Sequence, residues 1–250
     1  MKPVLLVTGS SGIAAATARL WAARNPVFVV GMNANECRSL SAEFSEAGFA
    51  MADVRQEAAV ASAVSACLDR FGRIDAVFNC AGVSARPFGD GPLHECKTEA
   101  WDTAMDVNAR GTFFICRHVL SAWAENGQAG SILNIGSVLA RHPQRAHFAT
   151  LAYAASKGAI EAMSVSAAAY YAAYGIRINV IALGLVRTPM TTRAQANLQI
   201  TDYISHKQPL TKGMLNPEDV AKTACFLLSD ESSLITGQII NVDGGWTVSE

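Results

Sequence analysis

The sequence predicts an α/β fold built on a parallel sheet, and three observations carry that prediction. Short apolar runs of strand type recur from Val4–Val7 to Ile239–Val242, with helix-forming stretches between them. Strands alternating with helices need right-handed crossovers, which leave neighbouring strands parallel. A glycine-rich turn, Thr8-Gly9-Ser10-Ser11-Gly12, follows the first run, and no linker, repeat or composition break divides the 250 residues.

Val4 to Val7 is the first strand, and Ile13 to Ala23 reads as a helix after the glycine turn. Strand, glycine turn and helix form the context in which a pyrophosphate rests on backbone N–H groups. Val27 to Val30 is the second strand. It ends in Gly31-Met32-Asn33, with neither an Asp to hold a ribose nor an Arg to hold a 2′-phosphate. Asn33 fits either a ribose hydrogen bond or a simple turn. Asn35 to Ala47 reads as a helix, Phe49 to Ala52 as a strand and Glu57 to Phe71 as a helix. Ala76 to Phe78 is a further strand, ending at Asn79-Cys80-Ala81-Gly82. Val83 to Thr98 is a loop, Trp101 to Glu125 a long helix containing Asn108 and Gly111, and Ser131 to Ile135 a strand delivering Gly136-Ser137. Tyr153 to Tyr174 is the central helix, and Ile176 to Ala182 a strand ending in Leu183-Gly184. Thr188 to Leu215 is expected to be a polar, irregular lid. Pro217 opens a helix to Leu228, at a favourable first-turn position.

The chemistry centres on Tyr153 and Lys157. Residues four apart share a helix face, so Lys157 would sit beside Tyr153. A nearby cation favours the phenolate over the phenol, whose reference pKa is about 10. The pair therefore suits a tuned proton donor. Alone, YxxxK is a very weak pattern that more often marks a surface Tyr and Lys on an Ala-rich helix.

Half the residues are hydrophobic and 16% are charged, with a net charge of -1. That balance argues against nucleic acid or an anionic membrane as partner. The six cysteines are scattered, with no CxxC pair and no HExxH, so no metal site is expected. They fit a reducing, cytoplasmic location. The apolar start is too brief for a signal peptide or a membrane span.

Taken in order, the markers resemble those of the short-chain dehydrogenase/reductase family across nearly the full length. They are Thr8-Gly9 to Gly12, Asp53-Val54, Asn79 to Gly82, Asn108, Ser137, Tyr153 with Lys157, Gly184 to Thr188, and Asn241-Val242-Asp243-Gly244-Gly245. The resemblance implies a single doubly wound Rossmann-type domain, with a seven-stranded parallel sheet and helices on both faces. It also implies NAD or NADP as cofactor, a small alcohol or carbonyl substrate, and a homotetramer or homodimer. Tyr153 would be the general acid or base, Lys157 would lower its pKa and bind the nicotinamide ribose, and Ser137 would hold the substrate oxygen. Asn108 would hold a water in a proton relay. Around the cofactor would lie Gly9, Ser11, Gly12, Ile13, Asn33, Asp53, Val54, Asn79, Ala81, Gly82, Gly184, Val186 and Thr188.

The sequence departs from the family's usual T-G-x-x-x-G-x-G turn. It is one residue short before the second glycine, and Ala14 stands at the third. That third position allows close helix–strand packing, so its methyl must be absorbed. Leu183 stands for the family's Pro and Cys80 for its second Asn. Cys80 reads as a small core residue. The segment from Ser137 to Tyr153 is a few residues long for the family and carries Arg141, His142, Arg145 and His147. It reads as a solvated loop or, more sharply, as the source of a cation that favours an acidic substrate. Two other functions are open: a nucleotide-binding sensor or scaffold with weakened turnover, motivated by the altered turn, and different chemistry on the same architecture, such as isomerisation or dehydration on bound NAD.

Overall fold

The five central apolar runs are buried on both faces, as a parallel sheet covered by helices requires, and the two edge strands are only partly buried. The computed structural model describes residues 2–249. Its strands are β1 (Leu5–Thr8), β2 (Val27–Gly31), β3 (Ala47–Met51), β4 (Ala76–Asn79), β5 (Gly130–Ser137), β6 (Ile176–Leu183) and β7 (Ile239–Val242). They form one seven-stranded sheet in the order β3-β2-β1-β4-β5-β6-β7. Every pairing is parallel.

Side chains alternate across the sheet, so each strand feeds two cores. Leu5 and Val7 of β1 pack beneath α1 (Gly12–Ala22), α2 (Ala34–Ala42) and the C-terminal Pro217–Leu228 helix. Leu6, with Phe28 and Val30 of β2, packs beneath α3 (Glu57–Phe71) and the helices that follow on that face. Those are α5 (Gly111–Asn126) and α6 (Leu151–Tyr171), while α4 (Thr98–Ala104) packs Ala100 and Ala104 in a small separate cluster with Ala85 and Ala152. The chain is thus doubly wound, with helices on both faces.

Three stretches differ from expectation. The helix after β2 stops at Ala42, and Ala47 and Gly48 join β3, where they pair with Val27 and Phe28. Strand pairing overrides local helix preference there, and a side chain at Gly48 would strike the Phe28 ring at 2.8 Å. The long helix is interrupted: Met105–Arg110 is a π segment between α4 and α5. The lid between residues 188 and 215 is ordered as α7 (Thr192–Gln195) and α8 (Leu198–Lys207), and the C-terminal helix is α9 (Pro217–Leu228). The lid has an apolar centre of its own, in which Ala194, Ile200, Ile204 and Met214 join Val138, Phe148 and Trp246. No described helix is long and apolar enough to cross a membrane.

Candidate active site

The strand order reverses at β1, which feeds β2 on one side and lies against β4 on the other. A crevice opens at such a switch point, outside the strand C-termini. Thr8 closes its floor: its hydroxyl accepts the N–H groups of Cys80 and Ala81, both at 3.0 Å, and so ties the end of β1 to the end of β4. One cavity spans the crevice. Gly9, Ser11, Gly12, Ile13, Ala81, Gly82, Ser137, Tyr153, Lys157, Gly184, Val186 and Thr188 all line it.

One wall fits an anionic dinucleotide. Gly9 and Gly12 have φ of +101° and +53°, values that L side chains rarely adopt. They turn the chain so that α1 begins at the cavity. Ser11 stands at the N-cap without a side-chain cap bond, and no acid lies in the first turn. The first N–H groups of α1 therefore face a ligand unopposed, beside the positive end of the helix dipole. The shortened turn keeps this arrangement. The methyl of Ala14 is absorbed against Gly9, where a Cβ would lie 3.2 Å away, and Ala14 is buried in the core. Thr188 covers the turn from the lid side, its Cγ2 3.0 Å from where a Gly12 Cβ would be.

The opposite wall holds titratable groups. Ser137 ends β5, and its hydroxyl accepts the Leu139 N–H at 3.2 Å. Tyr153 lies in the first turn of α6, and that turn is held from outside. Asp90 accepts the Ala152 N–H at 2.9 Å with one oxygen and the Tyr153 N–H at 3.0 Å with the other. Burial pushes the Tyr153 phenol up to about 12, against the opposite pull of the Ser137 hydroxyl. Burial drives the Lys157 ammonium down to about 8. Its Nζ donates to the Ile135 carbonyl at 2.9 Å and lies 5.6 Å from the centre of the Tyr153 ring. Burial, not the neighbouring Lys157, sets the direction of the Tyr153 shift. At neutral pH the site presents a protonated phenol beside a cation. Cys80 is also in the lining, but burial pushes its thiol up to about 12, as a core role implies.

The family model described as enoyl-(acyl carrier protein) reductase matches residues 7–247. The chain is 34% identical to cis-4-hydroxycyclohexanecarboxylate dehydrogenase of Sinomonas cyclohexanicum, over 98% of this chain and 96% of that protein. It belongs to the short-chain dehydrogenase/reductase family. It is also 33% identical to 2,5-dichloro-2,5-cyclohexadiene-1,4-diol dehydrogenase of Sphingobium indicum, over 98% of this chain and 97% of that one. A solved short-chain type dehydrogenase/reductase from Mycobacterium ulcerans matches with a TM-score of 0.90 and 32% identity, covering 99% of this chain and 90% of that chain. The protein is therefore an NAD(P)-dependent oxidoreductase of small alcohol or carbonyl compounds.

In this dehydrogenase/reductase, several expected site residues stand outside the cavity. The Asn108 carboxamide is fully buried. It accepts the Val83 N–H at 2.8 Å and donates to the Val83 carbonyl at 3.1 Å and the Ser156 hydroxyl at 3.0 Å. These bonds fix the chain beyond Gly82. Asn79 turns into the core, donating to Asn134 at 2.8 Å. It and Val54 line a narrow cleft under Ala81 rather than the main cavity. Asp53 is held by Arg55, whose hydrogen bonds lower its pKa. Asn33 is the turn former: it caps α2 by accepting the N–H groups of Asn35 and Glu36.

The 141–147 cations are not in the lining either. Arg141 is drawn to Glu161 at 3.2 Å and Asn241 at 2.8 Å, and Arg145 is exposed. The cavity's cations besides Lys157 are instead Arg86 and Arg193. Neither stands in a motif, so spacing gave no signal for them. Asp90 lay in a Gly-Asp-Gly stretch that reads only as a turn. Glu36 was hidden because the usual acid follows β2 directly. It lies three residues beyond Asn33, where Ser10 donates to it at 2.7 Å and Asn33 at 3.0 Å.

Proposed function

We propose that the chain interconverts a cyclic secondary alcohol and its ketone, with Tyr153 handling the proton and NAD as the preferred cofactor. The observation that carries the reading is the meeting of Ser137, Tyr153 and Lys157 in one cavity with the uncapped start of α1. The nicotinamide supplies or accepts the hydride. Gly9, Ser11, Gly12, Ile13 and Thr188 hold the phosphates, and Gly184 and Val186 flank the nicotinamide end. Ser137 orients the substrate oxygen. In reduction, Tyr153 Oη gives its proton to the carbonyl oxygen as the carbon gains hydride. The Lys157 ammonium stabilises the phenolate left behind. Oxidation runs the same transfers in reverse. A ring-bearing substrate accords with the apolar wall of Leu139, Phe148, Leu185, Met190 and Trp246, and with the ring alcohols named for both dehydrogenase relatives.

Glu36 supports the NAD preference. Its carboxylate is held against the glycine turn by Ser10 and Asn33. There it suits a ribose hydroxyl and repels a 2′-phosphate. Parallel titrations with NADH and NADPH, followed by turnover of cyclic ketones, test the reading. Tighter NADH binding with turnover is expected. Retained NADH with no redox turnover would favour the sensor or isomerase alternatives.

A further inference from the structure

The substrate end of the cavity has an unusual balance of charge. Among the described residues its lining contains Arg86, Lys157 and Arg193 but no Asp or Glu. Arg86 follows the Gly82 turn and donates to the carbonyls of His147 at 2.7 Å and Ala149 at 3.5 Å. Those two bonds use one nitrogen of a five-donor fork. Arg193 rises from α7 on the facing lid, and has no side-chain hydrogen bond or ion pair among the described residues. Arg86 and Arg193 line the same cavity; burial and the charge of Arg193 lower the Arg86 pKa, while Asp90 raises it. The acid nearest them, Asp90, has both oxygens committed to the start of α6. Trp246 adds a third donor. It is 2% exposed and lines the cavity, and its indole N–H finds no acceptor among the described residues.

Two cations lining one cavity, with no acid among its described lining residues, attract an anion. The cofactor's phosphates have their own seat at α1, on the glycine-turn wall. We propose that Arg86 and Arg193 form a carboxylate clamp, so that the preferred substrate is a hydroxy or oxo acid. The inference rests on the alcohol–ketone reading above. It moves the expected cation from the 141–147 loop to two residues that the fold brings together from β4's exit and the lid.

The test uses the full chain saturated with NADH. Binding of cyclohexanecarboxylate and of cyclohexanecarboxamide is measured by calorimetry, and reduction of 4-oxocyclohexanecarboxylate is compared with that of its methyl ester. The wild type should bind the carboxylate at least about tenfold tighter than the amide, as expected for a charge-assisted pair. Arg193→Gln lies on an exposed helix and should fold; it should lower the acid-to-ester ratio of kcat/KM by about tenfold. Arg86→Gln should do the same, and raising salt should shrink the wild-type preference. Equal affinity for acid and amide would overturn the clamp. So would a loss of NADH affinity in Arg193→Gln with the acid preference intact, which would assign Arg193 to the cofactor. Tight carboxylate binding with no ketone reduced would instead sink the reaction reading and leave the clamp standing.

Discussion

At the scale of residues, the site balances function against stability, and Lys157 shows it most directly. A free lysine keeps its proton to about pH 10.5, but burial brings Lys157 down to about 8. Between those values the unfolded chain holds more protons than the folded one, so stability from this group rises with pH across that window. Below pH 8 the cost of the buried charge is fully present, roughly 3 kcal/mol at most. Lys157→Met should therefore unfold at a higher temperature than the wild type at pH 7, with the gap closing towards pH 10.5. A gap that ignores pH would contradict this. The same group predicts that ketone reduction falls as pH rises through about 8, because the cation that stabilises the Tyr153 phenolate is lost. Glu36 carries the other prediction at this scale. Glu36→Gln should narrow the preference for NADH over NADPH by about tenfold, read from the two dissociation constants. An unchanged ratio would remove Glu36 from the cofactor site.

At the scale of elements, side chains far from the reacting atoms decide where those atoms lie. The start of α6 has no cap of its own, since Thr150 makes no side-chain cap bond. Asp90 supplies the cap from the preceding loop, and the carboxylate there also meets the positive end of the helix dipole. Asp90→Ala should lower stability by about 1–2 kcal/mol in denaturant unfolding. It should also lower kcat more than it raises KM for NADH, because Tyr153 Oη is displaced while the α1 wall is not. A pure stability loss with kcat intact would reduce Asp90 to a structural cap. The π segment Met105–Arg110 acts similarly. Its extra width within a helix aims Asn108 at Val83, and Gly82 must lack a side chain because a Cβ would approach the Asn108 oxygen to 3.0 Å.

At the scale of the whole molecule, the sheet and its two helical layers were legible because each strand is a short apolar run punctuated by turn residues. The strand-end markers Gly9, Gly82, Ser137 and Gly184 were legible for the same reason, since a parallel sheet delivers them to one edge. The side-chain assignments were harder. Asn33, Asn79 and Asn108 are the types that bind cofactors and waters, but they are equally the types that cap helices and satisfy buried backbone. Only tertiary contacts distinguish those uses. Arg86, Arg193 and Glu36 come from three separate segments, and no local pattern joins them. The lid misled because its apolar residues pack against Phe148 and Trp246 from distant segments rather than against one another in sequence.

The most direct test of the central claim is Tyr153→Phe, measured for NADH binding and for ketone reduction in the same preparation. Loss of the phenolic proton should reduce turnover by about a hundredfold or more, the usual weight of a positioned general acid, while NADH binding persists. Turnover within a few-fold of the wild type, with NADH still bound, would show that Tyr153 is not the proton donor.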